Sequence, residues 1–283
     1  MRNLATVFPL LVHRLVKRTE FRVAVTVSLV FVLAAFAESC QHFYGSDIGD
    51  LPSPAYAWAW NMDAMQINSM RVYLYFFMPI LSALVFSGSA KEDIRSGVAS
   101  CIVVRSSVKS YLISNIVITY CGGFLLVLFT LALLQLLAFI AFPVNGLYGG
   151  YMDTPIYLDV MPNDGLLYDL RIDSPYIYNM IFAVWSSAWG GLCSLFSFGL
   201  SFLLRKHKTV ALVIPTLVSL ALFQLSPLVS SSVYQLLHFS YCYPNIDRQL
   251  NDPFFFVVYP AVITALSLLV ASVPLFKGKD VLL

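Results

Sequence analysis

Charge is what this 283-residue chain has least of: 11% of its residues are charged and 59% are hydrophobic. That balance excludes an ordinary water-soluble domain of this length, which needs a far more polar surface. Six long runs contain no Asp, Glu, Lys or Arg at all. They lie between Arg22 and Glu38, Arg71 and Lys91, Lys109 and Asp153, Asp173 and Arg205, Lys208 and Asp247, and Asp252 and Lys277. About 20 apolar residues cross the hydrocarbon layer as a helix, so the runs read as membrane spans. Stops at Pro143, Asn145 and Gly146, and a weakening at Pro227 and Ser230–Ser232, trim the longer runs. The predicted spans are 22–39, 71–90, 110–142, 176–204, 209–229 and 254–276.

Other absences narrow the chemistry. No acid lies in a span core, and the four histidines (His13, His42, His207 and His238) lie near or beyond span ends. An intramembrane protease needs a nucleophile with its base, paired acids or metal ligands in the membrane, and none of these is present. An ion-coupled carrier usually keeps ionisable groups at mid-membrane, and here Gln135, Asn179, Gln224 and hydroxyls are left to bridge helices. No Cys/His spacing suggests a metal site. There is also no G-x-x-x-x-G-K-[ST] phosphate loop; Gly278-Lys279 stands alone.

The charge that is present is sorted by side. Fourteen of the 17 basic residues flank the runs on one side, and eleven of the 15 acids lie on the other. By the positive-inside rule the basic side is cytoplasmic, which puts both termini inside and agrees with six spans. The fold expected is an all-helical membrane protein forming a single transmembrane domain over residues 1–283. The cell membrane of a bacterium is its expected location, with its first span kept as a signal anchor. Basic residues beside lipid headgroups account for the inner face without nucleic acid.

Five cysteines are present. Cys101 falls inside, Cys121 and Cys193 fall in spans, and Cys40 and Cys242 both fall outside, where they can pair as a disulfide. Residues 3–20, within the leading segment 1–21, read as an amphipathic helix in the inner headgroup layer. Leu4, Phe8, Leu11 and Leu15 recur on one side, and Arg14, Arg18 and Arg22, with Lys17 beside them, repeat every four residues. The first outer loop, 40–70, carries Trp58 and Trp60 and is expected to lie against the outer leaflet. The second, 143–175, is acidic. The fourth span has small residues at helical spacing, among them Ser187, Gly190, Gly191 and Ser194, which let helix backbones approach closely.

The most specific segment is Lys91-Glu92-Asp93-Ile94-Arg95-Ser96-Gly97, followed by Arg105-Ser106-Ser107 and Tyr111. Residues 91–105 read as one short cytoplasmic helix with Ile94, Val98, Cys101 and Ile102 on its apolar face. Glu92 and Arg95, three apart, are expected to pair, and Ser106 or Ser107 to cap the next helix. This segment resembles the first cytoplasmic loop of ATP-binding-cassette transporter permeases of the type-2 exporter class. In those an acid and a Gly follow the second span, and Arg, Ser and Tyr lead into the third. Glu92, Arg95, Gly97, Arg105, Ser106 and Tyr111 match, and Asn115 stands where the family commonly has Lys. The resemblance implies that residues 91–97 dock on a separate soluble ATPase subunit, which binds the ATP and Mg, so this chain is not itself an enzyme. It also implies a second permease subunit and export of an amphipathic peptide or lipid-like molecule. The alternatives are an ion-coupled carrier or channel, or a non-transporting membrane sensor or immunity protein.

Overall fold

A computed structural model describes residues 4–46, 51–62, 68–144, 167, 170, 173–204, 208–225 and 253–277. All regular structure among them is helical. Among the described residues four helices are long and apolar enough to cross a membrane: Thr19–His42, Ser69–Arg95, Val108–Ala141 and Pro175–Leu203. The chain is thus a multi-pass membrane protein. Two further apolar helices, Lys208–Leu225 and Pro253–Lys277, occupy the places of the fifth and sixth expected spans. Residues 226–229 of the fifth expected span, Arg205, most of the acidic loop 143–175, and Cys242 lie outside the described residues.

Helix α1 runs from Leu4 to Lys17 and α2 from Thr19 to His42. Arg18 between them is extended, with ψ 140°, so the chain bends there and does not continue as one helix. In α2 the buried residues Ala24, Ser28, Val32, Ala35 and Ser39 recur every three or four positions, giving one small-residue stripe toward the bundle. Val23, Val30 and Leu33 face outward, where lipid would lie.

A short helix, α3 (Pro54–Asn61), precedes the second span. That span is built from α4 (Ser69–Val72), a π-helical stretch Tyr73–Phe77, α5 (Met78–Phe86) and α6 (Ser89–Arg95). A separate helix α7 (Val98–Arg105) follows, and then α8 (Val108–Ala141). Ser107 caps α8 by accepting from Ser110 N at 3.1 Å. At 34 residues, α8 is about 51 Å long, well beyond the hydrocarbon thickness of about 30 Å, so its ends project.

Helix α9 (Pro175–Leu203) is the centre of the bundle and packs on α3, α5, α8 and the two last helices, α10 (Lys208–Leu225) and α11 (Pro253–Lys277). Its small residues explain this. A Cβ at Gly190 would lie 2.6 Å from Val127 and 3.1 Å from the Gly123 carbonyl, and one at Gly191 would lie 2.6 Å from the Tyr120 ring. A Cβ at Gly199 would meet the Val270 carbonyl oxygen of α11 at 2.2 Å. Lipid gives little hydrophobic drive to helix association, so such close backbone contact is what helix packing relies on. Ser187 and Ser194 are buried in the same rows. The small rows of the fourth span therefore serve contacts within one chain.

Polar side chains then tie the spans. Ser28 of α2, Tyr73 of the π-helical stretch and Thr130 of α8 form a buried hydroxyl chain at 3.2 and 3.3 Å. Thr130 also donates to the Leu126 carbonyl at 2.7 Å.

Candidate functional site: the Arg14–Asp93 clamp

The residues singled out at 91–97 do not form one helix with the residues up to 105. The second span runs on without a loop through Lys91 and Asp93 to Arg95, and the helix breaks at Gly97, whose φ is +76°. This left-handed conformation suits glycine and ends the helix, with Gly97 N donating to the Ile94 carbonyl at 3.2 Å. The break also rotates the apolar face. Ala99 is buried and Ile94, Ile102 and Val103 pack on the core, whereas Val98 and Cys101, expected to face inward, are exposed.

Three of the four charged residues at 91–95 turn back toward the bundle. Asp93, 1% exposed, is clasped by the Arg14 guanidinium of α1. Arg14 Nη1 donates to Oδ2 at 2.6 Å and Nη2 donates to Oδ1 in a two-pronged pair. Tyr111 of α8 donates its hydroxyl to the same Oδ2 at 2.9 Å. The hydrogen bond to Asp93 holds the Arg14 guanidinium above its ordinary pKa range, against the opposing effect of burial.

Glu92 accepts from Arg18 Nη2 at 2.7 Å, so among the described residues it pairs with the α1–α2 bend and not locally with Arg95 as the spacing suggests. Arg18 also reaches Glu20 at 3.2 Å and lies 5.9 Å over the Phe86 ring. Lys91 Nζ donates to the carbonyls of Ser201 and Leu204 at 3.0 and 2.9 Å, closing the C-terminal end of α9. A cation there meets the orphan carbonyls and the negative end of the helix dipole. Asn115, at the position where a lysine was expected, accepts from Ser89 Oγ at 3.3 Å and donates to the Tyr111 carbonyl at 2.9 Å.

The N-terminal helix is turned accordingly. Val7 and Leu11 are buried and Leu15 packs on the core, in line with Arg14 and Arg18, which face the acids. Phe8, Leu10, Val12, Val16, Lys17 and Arg22 are exposed. The arginine row expected to meet headgroups is thus divided: two arginines clamp α6, and Lys17 and Arg22 stay outside. Sequence reasoning missed the Arg14–Asp93–Tyr111 cluster because its members are 79 and 18 positions apart. The signal that existed was a match in number, two arginines four apart, one on α1 and one at the bend after it, against the adjacent acids Glu92 and Asp93.

What faces away from the bundle is a strip across the α6–α7 break: Arg95, Ser96, Gly97, Val98, Cys101, Val104 and Arg105, with Val104 at 86% exposure. Behind this strip the segment is bonded to α1 through Arg14, to the α1–α2 bend through Arg18, to α8 through Tyr111 and to α9 through Lys91. Among the described residues no group of three or more His, Cys, Asp or Glu could hold a metal ion.

A second departure lies at the opposite end of the bundle. The segment expected to lie on the outer leaflet instead inserts α3 between spans α2, α8 and α9, with Trp58 at 1% exposure and Trp60 buried. Ser53 caps α3 by accepting from Tyr56 N at 3.3 Å, and Pro54 supplies a preset first turn. Trp58 Nε1 donates to the Leu131 carbonyl at 3.1 Å, so the indole spends its polar atom on a neighbouring span and not at a wet interface.

No protein-family model, no curated protein and no solved structure matches this chain.

Proposed function

We propose that this chain is the membrane subunit of an ATP-binding-cassette exporter, with six spans and both termini cytoplasmic. The observation that supports the reading best is the clamp just described. One short segment at the basic end of the bundle is bonded to three other helices and leaves a solvent-facing strip. A soluble partner that moves on ATP hydrolysis needs such a lever. In this reading the partner contacts Arg95–Val98, Cys101 and Val104, while Lys91, Glu92 and Asp93 pass the motion inward. The partner binds ATP and Mg, and a second permease subunit, a copy or a relative, completes the pathway.

The cargo in this reading is amphipathic, a peptide or lipid-like molecule, because no ionisable group lines a span core. The acidic outer loop favours a cationic one. Asp153, Asp159 and Asp164, outside the described residues, carry that preference, and neutralising them is expected to lower export.

Purification from the native membrane tests the subunit assignment. A tagged chain brings down an ATP-hydrolysing subunit, and Val104→Asp or Arg95→Glu loses it while the melting temperature of the chain is unchanged. A chain that purifies alone and moves cargo on an ion gradient without ATP overturns the reading.

A further inference from the structure

Helix α3 is eight residues long, about two turns, too short to persist in water or lipid by its own backbone bonds. Its position depends on side chains from the spans around it. Gln135 Nε2 of α8 donates to the Pro54 carbonyl at 3.0 Å, and Asn179 Nδ2 of α9 donates to the Ala55 carbonyl at 3.1 Å and to Gln135 Oε1 at 3.0 Å. Trp58 reaches the Leu131 carbonyl, and Asn61 Nδ2 donates to Ser39 Oγ of α2 at 2.7 Å. Leu131 lies ten residues before the end of α8, so α3 reaches about 15 Å below that end. Every one of these ties is a neutral hydrogen bond; such bonds between membrane helices are individually weak and exchangeable.

The second span holds both α3 and the clamp. At its outer end Glu38 accepts from Ser69 N and Oγ at 2.8 and 2.6 Å, and Asn68 Nδ2 reaches the Trp60 carbonyl of α3 at 3.4 Å. At its inner end are Glu92 and Asp93. Between the two lies the π-helical stretch Tyr73–Phe77, followed by Pro79, which has no N–H to continue the ladder. A π-helical turn beside a proline is where a helix bends most readily.

We propose that α3 is an outer gate, shut in this structure, and that the span Ser69–Arg95 draws it out by pivoting at Tyr73–Pro79 when the Arg14–Asp93 clamp is released. The gate belongs to this chain alone and does not depend on which partner supplies the push.

Thiol accessibility tests it. In a chain whose five cysteines are replaced by Ala, Ala57→Cys is placed on the buried face of α3 against Ala138 and Phe142. Intact cells are treated from outside with a membrane-impermeant maleimide. The parent labels slowly, and Asp93→Asn raises the rate at least tenfold, although position 93 is at the opposite end of the span. Tyr111→Phe, which removes one bond to the same carboxylate, raises it less and covers the case in which Asp93→Asn does not fold. Gln135→Ala with Asn179→Ala, which loosens α3 directly, also raises it. A parent that labels as fast as Tyr44→Cys, an exposed control, overturns the shut gate. Labelling that responds to the Gln135 and Asn179 changes but to neither clamp variant overturns the linkage through the second span. The assay uses neither ATP nor cargo, so its failure leaves the exporter reading standing.

Discussion

The Asp93 carboxylate and the Arg14 guanidinium meet as a two-pronged pair although 79 positions separate them. Asp93 is buried, and its oxygens are shared between this arginine and Tyr111. Breaking such a pair from one side leaves a buried charge without compensation, which costs about 3–5 kcal/mol. Arg14→Ala is therefore expected to destabilise the chain strongly, and Arg14→Ala with Asp93→Asn less than the sum of the two single changes. Unfolding of the detergent-solubilised protein, read as a double-mutant cycle, measures the difference. Additive losses would mean that the two side chains do not interact.

Tyr73 carries the hydroxyl chain that joins α2 to α8. Tyr73→Phe keeps the ring and removes both bonds. Interhelical hydrogen bonds in membranes average about 0.6 kcal/mol with a maximum near 1.7. The expected loss lies in that range, smaller than the loss at Arg14, and the same unfolding assay ranks them. The clamp, not the mid-membrane network, then dominates polar stabilisation.

Gly199 admits no side chain, since a Cβ would lie 2.2 Å from a backbone oxygen of α11. A backbone atom cannot rotate aside as a side-chain tip can. Gly199→Ala is expected to push α11 away and cost about 1–3 kcal/mol from overpacking. Cysteine cross-linking between α9 and α11 falls in yield in the variant. Unchanged cross-linking would remove Gly199 as the determinant of that contact.

Gly97 is a different case, because nothing lies within 4 Å of a Cβ there and only its φ of +76° is special. Gly97→Ala is expected to cost about 1–2 kcal/mol through the left-handed backbone. It should shift the balance toward one continuous helix across residues 89–105, with Val98 turned to a new direction. Slower hydrogen exchange of the backbone amides at positions 97–99 in the variant is the check.

The helical class, the positions of the runs and the basic end were legible because they depend on local composition. A span announces itself by lacking charge, and Ser107 announces a helix start by its capping hydroxyl. The turning of Arg14 and Arg18 toward the bundle was not legible. A cationic helix beside a membrane satisfies its charge equally well on headgroups or on acids, and sequence periodicity is the same in both cases. Trp58 misled for a related reason. Tryptophan suits an interface because one atom needs a partner, and the Leu131 carbonyl supplied that partner inside the bundle. Ser53-Pro54 was the available signal for α3, a helix start placed where a loop was expected.

The clamp also bears on the order in which the chain is made. Arg14 and Arg18 emerge in synthesis well before Glu92 and Asp93 exist. In the orientation proposed above, their charge is uncompensated during that interval and helps to hold the leading segment on the cytoplasmic side. Once the second span has inserted, the two acids take up that charge. In that reading the signal that orients the young chain is spent in completing the mature one, and the same two arginines serve first as an address and later as a joint.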